Sequence, residues 1–172
     1  MRKTIPPEPM QNTLNLFVYG TLKRGYWNHD RFCRDALQIE EAEVWGRLYE
    51  QPSGIPVLQV PDGDVIAVGT SDPLKDVAMQ WHLAAEATVD AIPDTGDWQM
   101  IRGELMVFDN PRLCLPPIDQ LEGFRPGKPS LYRRVLVPIF INGGESTRAW
   151  CYIAGEHVDL RGLTSGRTSW PK

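Results

Sequence analysis

The sequence lacks the features that mark several large classes of protein. It has no block of basic residues, and 18 Lys and Arg against 22 Asp and Glu give a formal net charge of −4 at pH 7. General nucleic-acid and anionic-membrane binders carry an excess of basic residues, which this chain lacks. A small molecule is therefore the more favoured partner. No apolar run approaches the roughly 20 residues that a membrane span needs.

Two further absences bear on location and on covalent chemistry. Residues 1–7 lack the apolar core of a signal peptide, so we expect the protein to stay in the cytoplasm. The three cysteines, Cys33, Cys114 and Cys151, are too few and too scattered for a disulfide framework or a zinc knuckle, and we interpret them as buried thiols. A nucleophilic Cys33 or Cys151 has little support, because no histidine lies at a spacing that suggests pairing.

Length and composition predict a single domain with two tails. At 172 residues with 42% apolar content, the chain is long enough for one substantial core and short for two. Residues 1–13 carry three prolines and no hydrophobic periodicity, which is typical of a flexible N-terminal tail. We expect residues 14–154 to form the domain and residues 155–172, which are polar and contain glycine, to form a C-terminal surface tail.

The most informative stretch is 16–25, a short alternating strand that breaks into a loop bracketed by two glycines. Gly20 has no Cβ, so the backbone can turn sharply or approach a ligand closely there. If the amides of Gly20, Thr21 and Leu22 point the same way, they form a concavity for a carboxylate, a phosphate or an oxyanion. The spacing of Gly20 and Gly25 superficially resembles that of a nucleotide phosphate loop, but Tyr26 and Trp27 follow where that motif needs Lys and Ser or Thr, so we reject nucleotide hydrolysis. A plain strand-to-helix turn is an equally good interpretation of the spacing.

A second stretch, 115–124, breaks local rules in an informative way. Two prolines open a helical turn, its apolar side chains point inward together, and Gly123 ends it about one turn later. Glu122 then lies at the end of a very short helix, where burial would raise its pKa and make it a proton acceptor near neutral pH. A helix-end glutamate is more commonly solvated. Tyr132 downstream either offers a hydroxyl to the same pocket or packs on the sheet.

Hydrophobic periodicity predicts the elements around these stretches. Spacings of three and four residues predict a helix of about 15 to 19 residues from Pro73 towards Pro93, in which Trp81 packs in the core or lines a pocket. Glu104 is expected to point outward from a strand. The remaining predictions are strands over 41–49, 55–60 and 100–108, and a hairpin of 134–141 and 146–153 around a glycine-rich turn.

Together these residues resemble the gamma-glutamylcyclotransferase-like proteins, including the gamma-glutamylamine cyclotransferases. The loop Tyr19-Gly20-Thr21-Leu22-Lys23-Arg24-Gly25, followed by Asn28-His29, is similar to the family's first motif. Residues 118–124, followed by Tyr132-Arg133-Arg134, are similar to its second, a Leu-Asp-x-Leu-Glu-Gly-aromatic segment and a Tyr-x-Arg. Residues 45–49 and 102–105 are similar to its two Gly-containing strands. The match covers roughly 14–154, and a helical insertion interrupts it at about 68–98.

The resemblance implies an α+β fold, a small mixed β-barrel with surrounding helices and a pocket at its mouth. It implies ring closure of a γ-glutamyl amide, with release of 5-oxoproline and a free amine, and Glu122 as the catalytic acid and base. Neither a metal nor an organic cofactor is required by that reaction. The substrate-binding residues that it implies are Tyr19, Gly20, Thr21, Leu22 and Tyr132.

The motifs leave two questions open. A non-catalytic protein that holds a small carboxylate or a partner peptide on the same barrel would keep both motifs. The leaving amine is also open, because the groups that select it are expected on the 68–98 insertion and the 125–131 loop. A small γ-glutamyl molecule is the expected partner, neither nucleic acid nor membrane is expected, and the oligomeric state is undetermined.

Overall fold

The computed structural model describes residues 12–83, 96–141 and 144–171. Within them, eight strands and three α-helices alternate along the chain, with a 3₁₀ turn at Asp62–Asp64. The helices are α1 (His29–Phe32), α2 (Pro73–Leu83) and α3 (Pro111–Leu121). The strands are β1 (Leu14–Val18), β2 (Gln38–Glu50), β3 (Pro56–Gln59), β4 (Ala67–Val68), β5 (Gln99–Phe108), β6 (Tyr132–Ile141), β7 (Glu145–Ala154) and β8 (Ser165–Arg167).

Five of the strands close into a mixed barrel. β1 pairs with β5 antiparallel and with β7 parallel, while β2 pairs with β5 and β6 pairs with β7. The barrel closes where β2 also pairs with β6, at Ala42↔Ile141 and Glu43↔Phe140. β3 and β8 add to β2, and β4 adds to β6. The prediction of a small mixed β-barrel with surrounding helices is confirmed, as is the hairpin of β6 and β7.

Alternation along each strand divides the apolar side chains between two cores. In β1, Phe17 joins a cluster made only of strand and loop residues, which fills the barrel. Leu14, Leu16 and Val18 join a second cluster with residues of α2 and α3, between the barrel and the helices. Gly103 in β5 is required by this packing, because a Cβ there would lie 2.3 Å from the carbonyl oxygen of Val18.

α3 is longer than the sequence predicted. It begins at Pro111, in the first helical position, so Pro116 and Pro117 lie inside the helix and do not open it. An internal proline removes the hydrogen bond to the carbonyl four residues earlier. Both prolines, and the residues at 112 and 113 whose carbonyls lose their donors, are exposed, so water can satisfy those carbonyls.

The segment predicted as an insertion is anchored in the fold. α2 begins at Pro73 as predicted, and the expected continuation towards Pro93 lies outside the described residues. Trp81 takes the core position, since its indole Nε1 donates to the carbonyl of Thr13 at 2.9 Å. Thr13 is itself buried, so this residue, predicted to belong to the N-terminal tail, is part of the folded domain.

The C-terminal segment also differs from its prediction. Residues 155–172 were expected to form a surface tail, but β8 pairs with β2 at Leu48↔Arg167 and Tyr49↔Ser165. Trp170 is 7% exposed and belongs to the cluster inside the barrel. Among the described residues, no helix has the length and apolar character needed to cross a bilayer.

Candidate active site

The turn after β1 and the end of α3 meet in one cleft. All six residues that the sequence analysis nominated for the site line it, although about a hundred positions separate the two motifs. The full lining is Phe17, Val18, Tyr19, Gly20, Thr21, Leu22, Ile55, Pro56, Glu122, Tyr132 and Tyr152. The barrel thus brings both motifs to a single place.

Local turn chemistry positions Glu122. It caps the C-terminus of α3, and its N–H donates to the carbonyl of Ile118 at 3.0 Å. Gly123 follows in the left-handed region at φ +66°, and the N–H of Phe124 returns to the carbonyl of Asp119 at 2.9 Å. A glycine in this conformation is the usual end of a helix, and it directs the chain away while Glu122 stays at the cleft.

The Glu122 side chain has the electrostatics of a proton-transfer group. It is partly buried, and its carboxylate has no hydrogen bond or ion pair with any described residue. Burial raises the pKa of Glu122 to about 7, and the negative charge of Asp119, one helical turn earlier, adds to the rise. Near neutral pH such a carboxyl group can both accept and donate a proton.

Glu104, in β5, fixes the loop at 20–25 through Arg24. Its carboxylate accepts the backbone N–H of Arg24 at 2.7 Å and the Nε–H of the same residue at 2.8 Å. Glu104 lies on the same outward face of β5 as Met106, as expected, but it is only 9% exposed because the loop folds over it. No sequence pattern revealed this, because strand alternation says nothing about a loop that folds back over the strand.

The turn itself presents unused backbone donors. The N–H of Lys23 closes it by donating to the carbonyl of Gly20 at 3.1 Å, and the side chain of Asn28 donates to Thr21 Oγ1 at 2.9 Å. In the described part of the chain, the amides of Gly20, Thr21 and Leu22 have no acceptor. Consecutive free amides in a turn form a site for an anion.

The hydroxyl of Tyr19 is bound by the protein and has no free proton for a substrate in the cleft. Its hydroxyl donates to the carbonyl of Tyr152 at 2.7 Å and accepts the N–H of Leu58 at 3.1 Å. Burial raises the pKa of Tyr19 well above its ordinary value, so the phenol stays protonated. The residue ties β1 to β7 and β3.

The other two phenols of the cleft are committed in the same way. Tyr132 lies at the start of β6, where its hydroxyl donates to the carbonyl of Pro56 at 2.8 Å and accepts from Gln51 Nε2 at 3.0 Å. Tyr152 donates to Asp119 Oδ1 at 2.5 Å. With all three phenolic protons bound by the protein, Glu122 is the ionisable group of the lining that is left to transfer a proton.

Sequence reasoning missed a buried ionic network beside the cleft. Arg134 is fully buried, and its Nε and Nη2 donate to the two oxygens of Asp119 at 2.8 and 3.0 Å. Its Nη1 donates to Asp76 at 2.9 Å, and its Nη2 also reaches the carbonyl of Thr70 at 3.1 Å. The signal that could have revealed the network is an arginine two residues before Leu136, on a buried face of an otherwise apolar strand.

The cysteines do not serve the cleft as nucleophiles. All three are free and buried, as predicted. Burial raises the pKa of Cys33 and of Cys114 to about 12, and it raises the pKa of Cys151 further. At neutral pH the reactive thiolate forms are therefore scarce.

A second cavity, of about 720 Å³, lies behind the same loop. Its charged lining residues are Lys23, Arg24, Glu41, Glu43, Arg102 and Glu104. Glu104 is already bound by Arg24, and the free turn amides and Glu122 belong to the smaller cleft. The smaller cleft is therefore the candidate active site.

Comparisons with known proteins identify the family and the fold of the chain. A family model described as "Gamma-glutamyl cyclotransferase, AIG2-like" matches residues 16–79 and 70–171. A Methanocaldococcus jannaschii protein named "Putative gamma-glutamylcyclotransferase" is 24% identical over 157 residues, which are 86% of this chain and 98% of that protein. The crystal structure of an AIG2-like protein from Mus musculus superposes with a TM-score of 0.54 at 19% identity, covering 92% of this chain and 88% of that one. An Arabidopsis thaliana protein superposes with a TM-score of 0.50 at 14% identity, covering 90% and 76%. At these identities the two superpositions establish the shared fold.

Proposed function

The chain belongs to the gamma-glutamyl cyclotransferase, AIG2-like family, and from this premise we propose that it cleaves a γ-glutamyl amide by ring closure, releasing 5-oxoproline and a free amine. One observation carries the proposal. Glu122, with a pKa of about 7 and no partner among the described residues, shares a cleft with the free amides that follow Tyr19.

The first contribution of the cleft is to fold the substrate. In a γ-glutamyl amide the α-nitrogen lies within five-membered-ring reach of the γ-carbonyl carbon. A flexible chain rarely adopts that conformation, so holding it folded removes an entropic part of the barrier. One end of the substrate is fixed by the amides of Gly20, Thr21 and Leu22. They bind either its α-carboxylate or the oxyanion that develops on the γ-carbonyl.

The second contribution is proton transfer through Glu122. Its carboxylate removes a proton from the α-ammonium group, and the resulting amine attacks the γ-carbonyl carbon. As the bond from that carbon to the leaving nitrogen breaks, Glu122 returns a proton to the departing amine. General acid and base catalysis of this kind contributes about 10² to 10⁴ in rate. When the ring closes, the attacking nitrogen still carries two protons. One of them leaves and is taken up by the departing amine, which is released as an ammonium ion, and the ring nitrogen of 5-oxoproline retains the other.

A direct assay tests the activity. The purified protein is incubated with γ-glutamyl amines, γ-glutamyl dipeptides and glutathione, and 5-oxoproline is measured. We expect release from at least one class of compound. If no compound yields 5-oxoproline while the cleft still binds 5-oxoproline or glutamate by calorimetry, the chain is a binding protein on the same fold and the proposal fails.

Glu122→Gln tests the assigned residue. It removes the proton acceptor at nearly constant shape, so we expect kcat to fall by about 10² to 10⁴ with an unchanged circular dichroism spectrum. Glu145→Gln is the matched control, because that glutamate is exposed at the start of β7, away from the cleft. Retained turnover in Glu122→Gln would remove Glu122 from the mechanism.

A further inference from the structure

Residues 165–171, here called the strap, connect the parts of the chain that form opposite walls of the cleft. β8 holds the start of the strap against β2, and the carbonyl of Thr168 accepts the N–H of Arg102 in β5 at 2.7 Å. Trp170 then enters the apolar cluster inside the barrel. Trp170, the most apolar residue of the strap, is therefore part of the folded core.

Trp170 contacts the loop that carries the free amides. Its backbone carbonyl accepts a hydrogen bond from Lys23 Nζ. Its indole ring packs against Tyr26 with ring centroids 5.4 Å apart, and against Trp27 edge-on at 5.9 Å. These three residues follow Leu22 almost directly, so the strap fixes the far end of the turn.

The same side chain reaches the opposite wall. The indole Nε1 of Trp170 donates to the carbonyl of Gly54 at 2.9 Å, and the next two residues, Ile55 and Pro56, line the cleft. The two walls are already close, because a Cβ added to Gly20 would lie 3.0 Å from Cγ of Pro56. A small shift of either wall therefore changes the width of the cleft.

We propose that Trp170 is a positioning residue of the candidate active site, which holds the turn at 20–22 and the segment at 54–56 at the separation that substrate binding requires. This inference rests on the proposed function. Trp170 does not line the cleft, so it acts through the two walls. Among the described residues, the strap's hydrogen bonds and ring contacts do not involve α3, which carries Glu122.

This arrangement predicts a specific kinetic signature for Trp170→Ala. We expect KM to rise and kcat/KM to fall by between about tenfold and a hundredfold, because the binding amides lose their fixed position. The pH at which activity rises should stay where it is, because the surroundings of Glu122 are unchanged. Leu37→Ala is the matched control: Leu37 is 52% exposed, does not line the cleft and takes no part in the strap's hydrogen bonds or ring contacts, so its KM should match that of the unaltered protein.

Two further variants separate positioning from simple loss of folding. Trp170→Phe keeps an aromatic ring in the barrel but loses the donor to Gly54, so its KM should fall between those of Trp170→Ala and the unaltered protein. Lys23→Met removes the bond to the Trp170 carbonyl, together with the contact of Lys23 Nζ over the Tyr26 ring, and leaves the Trp170 side chain in place. Its KM tests the proposal if Trp170→Ala does not fold. An unchanged KM in the folded variants overturns the proposal.

A readout that needs no turnover keeps this proposal distinct from the proposed function. In Trp170→Ala, amide hydrogen exchange should become faster at 20–25 and 52–56 and stay unchanged in the hairpin of β6 and β7. If exchange changes in this way but no γ-glutamyl compound is cleaved by the unaltered protein, the cyclotransferase proposal fails and the strap's structural role stands. If amide hydrogen exchange in Trp170→Ala is unchanged at both 20–25 and 52–56, the proposed positioning role of Trp170 is overturned.

Discussion

Two carboxylates one helical turn apart on α3 have opposite surroundings. Asp119 accepts hydrogen bonds on both oxygens, from Arg134 and from Tyr152. Glu122 faces the cleft with no partner among the described residues, and burial raises its pKa to about 7. The same chemical group is thus bound by protein donors at one position, and at the other it has no such donors and a raised pKa.

The difference shows how one small fold can hold a structural carboxylate and a candidate catalytic carboxylate close together. A buried charge is tolerated when every polar atom around it is satisfied, and Arg134 meets that condition for Asp119 and Asp76 together. A buried carboxyl without partners instead shifts its pKa. The fixed negative charge of Asp119 adds to that shift, so the structural carboxylate also tunes the candidate catalytic one.

Removing the cation should have the largest effect on stability. Arg134→Met leaves Asp76 and Asp119 buried without their counter-charge, and breaking a buried pair from one side costs about 3 to 5 kcal/mol in the free energy of unfolding. Urea denaturation at pH 7.5 measures the loss. Arg161→Met is the control, since its ion pair with Asp159 is exposed and should not matter measurably. Equal stability of Arg134→Met and the unaltered protein would show that the network is not structural.

Replacing Glu122 with glutamine should raise the free energy of unfolding, whereas Arg134→Met should lower it. The pKa of Glu122 is about 7 in the folded protein against an ordinary value of 4.5, so the folded state holds the proton more tightly. Its favourable contribution is therefore present below pH 4.5 and is lost as the pH rises through 7. Glu122→Gln avoids this loss and should be more stable than the unaltered protein by up to about 3 kcal/mol at pH 8.

The pH dependence distinguishes this effect from a general gain in packing. At pH 5 the advantage of Glu122→Gln should shrink to about 1 kcal/mol or less, because the folded protein then keeps the proton. Thermal or urea unfolding at the two pH values measures the difference. An advantage independent of pH would contradict the raised pKa of Glu122.

The smallest predicted effect tests the coupling between the two carboxylates. For the unaltered protein, kcat/KM should rise with pH through about 7, as Glu122 of the free protein loses its proton. Asp119→Asn removes the neighbouring charge but not the burial, so that rise should move to lower pH by about one unit or less. Trp170→Ala should leave it in place. A rise that stays near pH 7 in Asp119→Asn would show that burial alone sets the pKa of Glu122.

Much of the fold and of the site was predictable because it depends on local patterns. Alternating side chains identified the hairpin of β6 and β7, and the spacing of apolar residues located the start of α2 at Pro73. The motifs around Gly20 and Glu122 nominated residues that the barrel brings into one cleft. Their proposed roles in binding and proton transfer stay predictions until the assays above are made.

The errors share a physical cause. Glu104 looks like a solvated strand residue until the loop at 20–25 folds over it, and Trp170 looks like part of a polar tail until β8 pairs with β2. Each of these contacts joins residues more than 65 positions apart. Patterns within a short window carry no information about such pairs.

The sequence by itself determined the alternation of strands, the glycine-marked turns and the chemical groups available for a site, because these follow from side-chain period and backbone conformation. Only the tertiary structure decided which buried acid is neutralised by Arg134 and which is left to titrate. The reason is that desolvation and ion pairing depend on which distant surfaces cover a side chain. Asp119 lies in the last turn of α3 and Glu122 directly follows its end, yet distant residues bind one carboxylate and leave the other without a partner among the described residues.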